Sequence, residues 1–257
     1  MNVERHPLAA KFLSWLLFPL YFVQGTWVRN RSLRLSPAAG PRSGQYGSGE
    51  PVVRILTVGD SSAAAVGIDR TDGAMAPQIA RKWHDRHGDT VSWHISGHNS
   101  AVANEIRDYV VPNIARHEYT HIFIMLGTND MKNWHSTGRW KRDFGSLLYA
   151  LRARFPEAKI YWHQAIDVST APALPRLLSY VMNLRVGLFN RKGAQLCVER
   201  GVVCIPPIPI AEPSGYCRDG FHANTHGYDV WSDHMLKYVD ETPRSTPAAQ
   251  PHIREPN

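Results

Sequence analysis

The sequence predicts an α/β domain built on a parallel sheet, and two observations carry that prediction. Short β-branched apolar runs alternate with longer helix-like stretches, the pattern of repeated β-then-α units. Three of those runs also end alike, in a small polar cluster containing a glycine. Residues 52–58 lead into Gly59-Asp60-Ser61-Ser62, residues 91–95 into Ser96-Gly97-His98-Asn99, and residues 122–126 into Gly127-Thr128-Asn129-Asp130. If the runs are parallel neighbours, all three clusters emerge along one carboxyl edge, where open α/β folds hold their ligands.

Each element has its own justification. Residues 52–58 are continuous and β-branched, as a strand covered on both faces requires. A helix follows over residues 74–87 and closes at Gly88. The second strand spans 90–95. Asn99 or Ser100 can cap a helix running to about residue 117, which Pro112 must end or kink. The third strand covers 121–126, and the next helix 139–154. A fourth strand over 159–166 is followed by a long helix over 175–199. That helix leads through Gly201 into a fifth strand, 202–205, and a last helix covers 225–239. Right-handed crossovers then place helices on both faces of the sheet.

The flanks read differently. Residues 1–35 hold an apolar run flanked by Lys11 and by Arg29 and Arg31. The run could serve as the core of a signal peptide, but no small-x-small cleavage site follows it. It falls short of the roughly 20 residues of a spanning helix, and Pro19 interrupts it. Trp15, Tyr21 and Trp27 suit a membrane interface, so a peripheral anchor is favoured over a spanning segment or a helix packed on its own domain. The arginines, more numerous on the C-terminal side, lean toward a membrane-associated or cytoplasmic location. Residues 36–50 are rich in Gly, Pro and Ser and read as a linker; residues 241–257 contain four prolines and read as a disordered tail. The domain proper is expected over 51–240.

The formal charge of +7 is unevenly spread: residues 1–49 carry six basic side chains against Glu4 alone. The remainder is close to neutral and has no interleaved basic and aromatic motif, which argues against a nucleic-acid partner. Cys197, Cys204 and Cys217 form neither a disulfide framework nor a CxxC zinc motif and are expected as reduced, mostly buried thiols.

Acyl transfer needs a nucleophile, a base, a group orienting the base, and donors for the oxyanion. Ser61 is the leading nucleophile, at the turn after the first strand, with Ser62 as its competitor. His222 is the leading base because Asp219, three residues earlier in Asp219-Gly220-Phe221-His222, can fix its tautomer and stabilise the imidazolium. His226 is the alternative, expected to face elsewhere or to assist substrate binding. Asp60 is better suited to tying down its loop than to orienting the base. The backbone amides of Ser61 and Gly97 and the side-chain amide of Asn129 would form the oxyanion hole.

Taken together, these blocks resemble the SGNH hydrolase superfamily, the GDSL esterase/lipase family, and occur in its order over about residues 52–240. The resemblance implies a flavodoxin-like three-layer α/β/α sandwich with five parallel strands ordered 2-1-3-4-5. It implies Ser61, Asp219 and His222 as catalytic residues, and Ser61, Gly97 and Asn129 as the oxyanion hole. Block one departs from the family pattern with Ser62 in place of leucine, and block two carries His98-Asn99-Ser100. The expected activity is a serine esterase on lipid-like or short- to medium-chain acyl esters, needing no metal or organic cofactor. A carbohydrate acetylesterase and a non-catalytic membrane-surface module are the alternatives. Substrate contacts are expected from His98, Met131, Trp134, Ile205 and Pro206, with Trp140 and the rest of the 205–210 run as further walls; packing into core or lid is the competing reading.

Overall fold

Alternation along the strands decides which helical layer each residue meets. In a computed structural model that describes residues 6–209 and 212–240, β4 (His121–Met125) turns Ile122 and Ile124 to one face and Phe123 and Met125 to the other. β2 (Val53–Gly59) sends Leu56 and Val58 with the first pair and Ile55 with the second, and β5 (Lys159–His163) divides Trp162 from Tyr161 in the same way. The period of two thus builds two separate cores, one on each side of the sheet. On one side lie α6 (Thr137–Arg154) and α7 (Arg176–Arg200); on the other lie α3 (Met75–His87) and α8 (Thr225–Asp240).

β3 (Val91–Gly97), β2, β4, β5 and β6 (Val203–Ile205) are parallel and adjacent in that order, which is the 2-1-3-4-5 arrangement of the five predicted strands. Register aligns their carboxyl ends: Gly59 lies opposite both Gly97 and Met125, Met125 opposite His163, and His163 opposite Ile205. The predicted edge is therefore real, and each of these five parallel strands delivers its following loop to it.

Three expectations need correction. The segment 36–50 is not a free linker. Ser43–Tyr46 forms β1, a sixth strand antiparallel to β3, and Ala38 donates to the Ala65 carbonyl at 3.1 Å. Arg42 also reaches the Ala64 and Ala38 carbonyls, so this glycine- and proline-rich stretch braces the loop that holds Ser61. The helix expected over 99–117 is broken up. A single turn, α4 (Ala103–Glu105), passes into a wide π turn at Ile106–Val110 and a 3-10 turn at Val111–Asn113. Pro112 has no N–H to continue the α-helical ladder, and the chain changes its hydrogen-bonding pattern ahead of it. Finally, the N-terminal segment does pack on its own domain, the alternative that the sequence ranks below a peripheral anchor. α1 (Pro7–Leu16) and α2 (Phe18–Arg31), bent by 65° at the break between them, both pack against α7. Among the described residues no single helix is long and apolar enough to cross a membrane. The tail expected over 241–257 lies outside the described residues.

Gly59 is the tightest point of the sheet. At φ 151°, a Cβ there would stand 1.9 Å from the Met125 carbonyl oxygen. Gly59→Ala should therefore destabilise the fold by about 3 kcal/mol or more, combining overpacking with backbone strain. Denaturant unfolding measures this, and a change within error of zero would contradict the close approach.

Candidate active site

Ser61 sits in a turn over residues 61–65 rather than at a helix start, and Tyr228 secures that turn from α8. Its hydroxyl lies 3.1 Å from both the Ser62 and the Val66 carbonyls. His222 comes from the loop before α8, and its Nε2 lies 3.0 Å from Ser61 Oγ. Its Nδ1 lies 2.6 Å from Asp219 Oδ2. A carboxylate can only accept, so Nδ1 carries the proton and Nε2 is left to accept from the serine hydroxyl. Asp219 is itself well fixed. Its Oδ1 accepts from the backbone amides of Phe221 (2.8 Å) and His222 (2.9 Å) and from the Cys217 thiol at 3.1 Å. Burial would raise the pKa of this carboxyl, but the four donors outweigh it and hold the group well below the usual carboxylate range. It stays ionised throughout the physiological range. Cys217 is the contributor that the sequence reading missed, because nothing in its spacing marks it as a donor to Asp219.

The residues expected as oxyanion donors come from the ends of three different strands, and of them Ser61 and Asn129 line one cavity. Gly97, the last residue of β3, lies directly under the turn: a Cβ there would be 2.1 Å from the Ala64 nitrogen. The glycine allows the turn to rest on the strand end. Asn129 lies in α5 (Thr128–Lys132), buried, with Nδ2 donating to the Ala101 carbonyl at 3.1 Å and 3.4 Å from Asp60 Oδ2. Asp130, its neighbour, is a strut. Its carboxylate takes the Ala103 amide at 3.1 Å and faces His135 Nδ1 at 3.2 Å, joining the loop after β3 to the loop after β4.

Beside Ser61 opens a cavity of about 320 Å³, walled on its apolar side by Ile166, Val168, Ala171, Ile208, Phe221 and Trp231. Thr128, Glu212 and His226 add polar groups, so the alternative base does face this space. None of the five residues expected to contact substrate lines it. His98 is exposed, with its backbone amide spent on the Gly59 carbonyl at 2.9 Å. Met131, Ile205 and Trp140 are fully buried in the cores, and the Pro206 carbonyl faces His234. Trp134 is covered instead by the N-terminal helices: Phe18 and Tyr21 lie 4.7 and 4.6 Å from its ring, and the Arg185 guanidinium 3.9 Å from it. Tyr21 also donates to the Lys132 carbonyl, so α2 braces the short helix that carries Asn129. Only Ile208, from the expected 205–210 run, reaches the cavity among the described residues. The true walls come from the 166–171 loop and from α8, where only the tertiary fold decides which residues turn inward.

The model of the GDSL-like lipase/acylhydrolase family matches residues 57–230 of this chain. No curated protein matches in sequence. Many solved structures match in fold. The esterase EstA from Pseudoalteromonas sp. aligns at 16% identity and a TM-score of 0.59, over 73% of this chain and 97% of its own. The lipase Lip_vut3 from a goat rumen metagenome aligns at 14% and 0.60, over 73% and 97%. The acetyl xylan esterase Axe2 from Geobacillus stearothermophilus aligns at 12% and 0.56, over 76% and 98%.

Asp60 is the electrostatic outlier beside this site. Burial pushes its carboxyl up to about 6, against the pull of the Ser62 amide (3.0 Å from Oδ1) and of the Lys132 charge. Since the folded value lies above the unfolded one, folding takes up a proton between the two. Stability therefore falls as pH rises from about 4 to about 6, by on the order of 2–3 kcal/mol, and then levels off. Asp219 acts in the opposite direction, losing its stabilisation only as pH falls below about 4. A carboxyl-carbon NMR titration should give Asp60 a midpoint near 6. A midpoint near 4 would show that the group is solvated.

Proposed function

Because the chain belongs to the GDSL-like lipase/acylhydrolase family, we propose that it is a serine esterase acting on carboxylic esters with an apolar acyl group. The observation that carries this reading is the hydrogen-bonded row Ser61–His222–Asp219, at 3.0 and 2.6 Å, opening on a mostly apolar cavity.

In the proposed cycle, Ser61 Oγ attacks the ester carbonyl while His222 Nε2 takes its proton. Asp219 stabilises the imidazolium so formed and holds the ring in place. Negative charge develops on the carbonyl oxygen, which the amides of Ser61 and Gly97 and Asn129 Nδ2 receive. The 3.1 Å bond to Ala101 holds the Asn129 amide in place, and the oxyanion replaces Asp60 as acceptor for the N–H now on the longer 3.4 Å contact. The alcohol departs with the proton from His222, and water repeats the sequence on the acyl-enzyme. The chain's own residues supply every group used.

The apolar walls favour an alkyl acyl chain over acetate. Each methylene taken from water is worth about 0.8 kcal/mol when fully buried, so kcat/KM should rise up to about fourfold per carbon until the cavity fills. Glu212 and His226 at the same cavity supply partners for hydroxyl groups, which is the specific observation favouring the carbohydrate acetylesterase reading. A series of nitrophenyl esters from acetate to decanoate, run beside an acetylated glycan, separates the two. A maximum at acetate with glycan turnover would reject the alkyl-ester assignment.

Labelling by a fluorophosphonate tests the chemistry itself and excludes or supports the non-catalytic module. It should vanish in Ser61→Ala and persist in Ser62→Ala. In Asn129→Ala, kcat should fall about 10²- to 10³-fold, on the order of 3 kcal/mol. A wild-type kcat in that variant would remove Asn129 from the proposed donors.

A further inference from the structure

The first N-terminal helix, α1, carries its side chains the opposite way round from an ordinary surface helix, whereas α2 packs Phe18, Tyr21 and Val28 inward and leaves Phe22 and Val23 outside. The face of α1 turned to the domain holds the small residues Ala10 and Ser14, both buried, which let the helix lie close to α7. The face turned to solvent holds the large apolar ones. Leu8, Phe12 and Leu16 recur at intervals of four on α1, Phe22 and Val23 continue on α2, and all five are 61–82% exposed. Trp15 and Trp27 are about half exposed beside them. Soluble monomers rarely leave so many large apolar side chains together in water.

Charge identifies what covers them. From residue 5 to residue 49 the sequence contains no acidic side chain, whereas Lys11, Arg29, Arg31 and Arg34 are all exposed around the apolar face. A second copy of the chain seated on this face would bring like charges together. A surface of anionic headgroups over acyl chains meets both the charge and the apolar side chains at once. The pair does not suit spanning: it is bent by 65° at its break, and its inner side is already occupied by α7 and Trp134.

We propose that α1 and α2 form a docking surface for an anionic lipid bilayer, lying in the plane of the interface with Leu8, Phe12, Leu16, Phe22 and Val23 inserted. Because Tyr21 of α2 bonds the Lys132 carbonyl at the end of α5, docking would fix the hydrolase domain with its Asn129 element beside the membrane. The docking surface works independently of the proposed ester chemistry, so the two stand or fall separately.

Co-sedimentation of the full chain with vesicles tests this. Vesicles of phosphatidylcholine and phosphatidylglycerol in equal amounts should carry the protein down, and pure phosphatidylcholine should carry much less. The double variant Phe12→Ser/Val23→Ser should lower partition to the mixed vesicles at least tenfold. Arg31→Gln and Arg34→Gln should each lower it about fivefold, corresponding to about 1 kcal/mol per arginine near an anionic surface. The far-ultraviolet circular dichroism and the thermal midpoint should be unchanged in all of them, which shows that they fold whether or not the ester chemistry holds. Equal partition of the variants and the parent, or no sedimentation with either vesicle, would overturn the proposal. So would dimerisation without lipid that Phe12→Ser/Val23→Ser abolishes, since that assigns the face to a second copy.

Discussion

Two missing Cβ atoms hold the site together. Gly59 leaves room for the Met125 carbonyl, and Gly97 leaves room for the backbone of Ala63 and Ala64. Between them they allow the turn bearing Ser61 to settle on the ends of three parallel strands. Asp60 then bonds backward to the Met125 carbonyl at 3.0 Å, and Tyr228 grips the turn from the far layer. The position of the serine hydroxyl is thus set by sheet packing, and His222 has only to meet it.

Three buried carboxyl groups lie near one another and behave differently because their partners differ. Asp219 collects four donors and is held ionised. Asp60 has fewer and is pushed up by burial to about 6. Asp130, also raised by burial, ties the loops after β3 and β4 together. The same side-chain chemistry therefore orients an imidazole in one place, receives the Ser62 amide within a turn in the second, and acts as a joint in the third. Local donor count decides among these roles.

The strands and the four polar clusters were legible because each depends on short-range pattern, while the strand order came from the family resemblance those clusters carry. A β-branched run, a glycine where a Cβ cannot fit, and Asp219 three residues before His222 are all visible along the chain. The cavity walls were not. Ile166, Val168 and Trp231 line it because of how a loop and α8 turn in three dimensions, and no local period marks that. Trp134 shows the same limit from the other side. Its position after β4 suggested a substrate contact, but the N-terminal helices had a prior claim on its ring. β1 escaped notice because four residues in a glycine- and proline-rich stretch carry almost no strand signal; their partner strand lies about fifty residues on.

The most direct measurement is the crystal structure of the protein after reaction with a phosphonate ester. Phosphorus should be bonded to Ser61 Oγ, with its oxygen within hydrogen-bonding distance, about 3 Å, of the Ser61 and Gly97 amides and Asn129 Nδ2. The Asn129 amide should have left Asp60. A phosphonate oxygen pointing away from all three donors, or attached to another residue, would contradict the account.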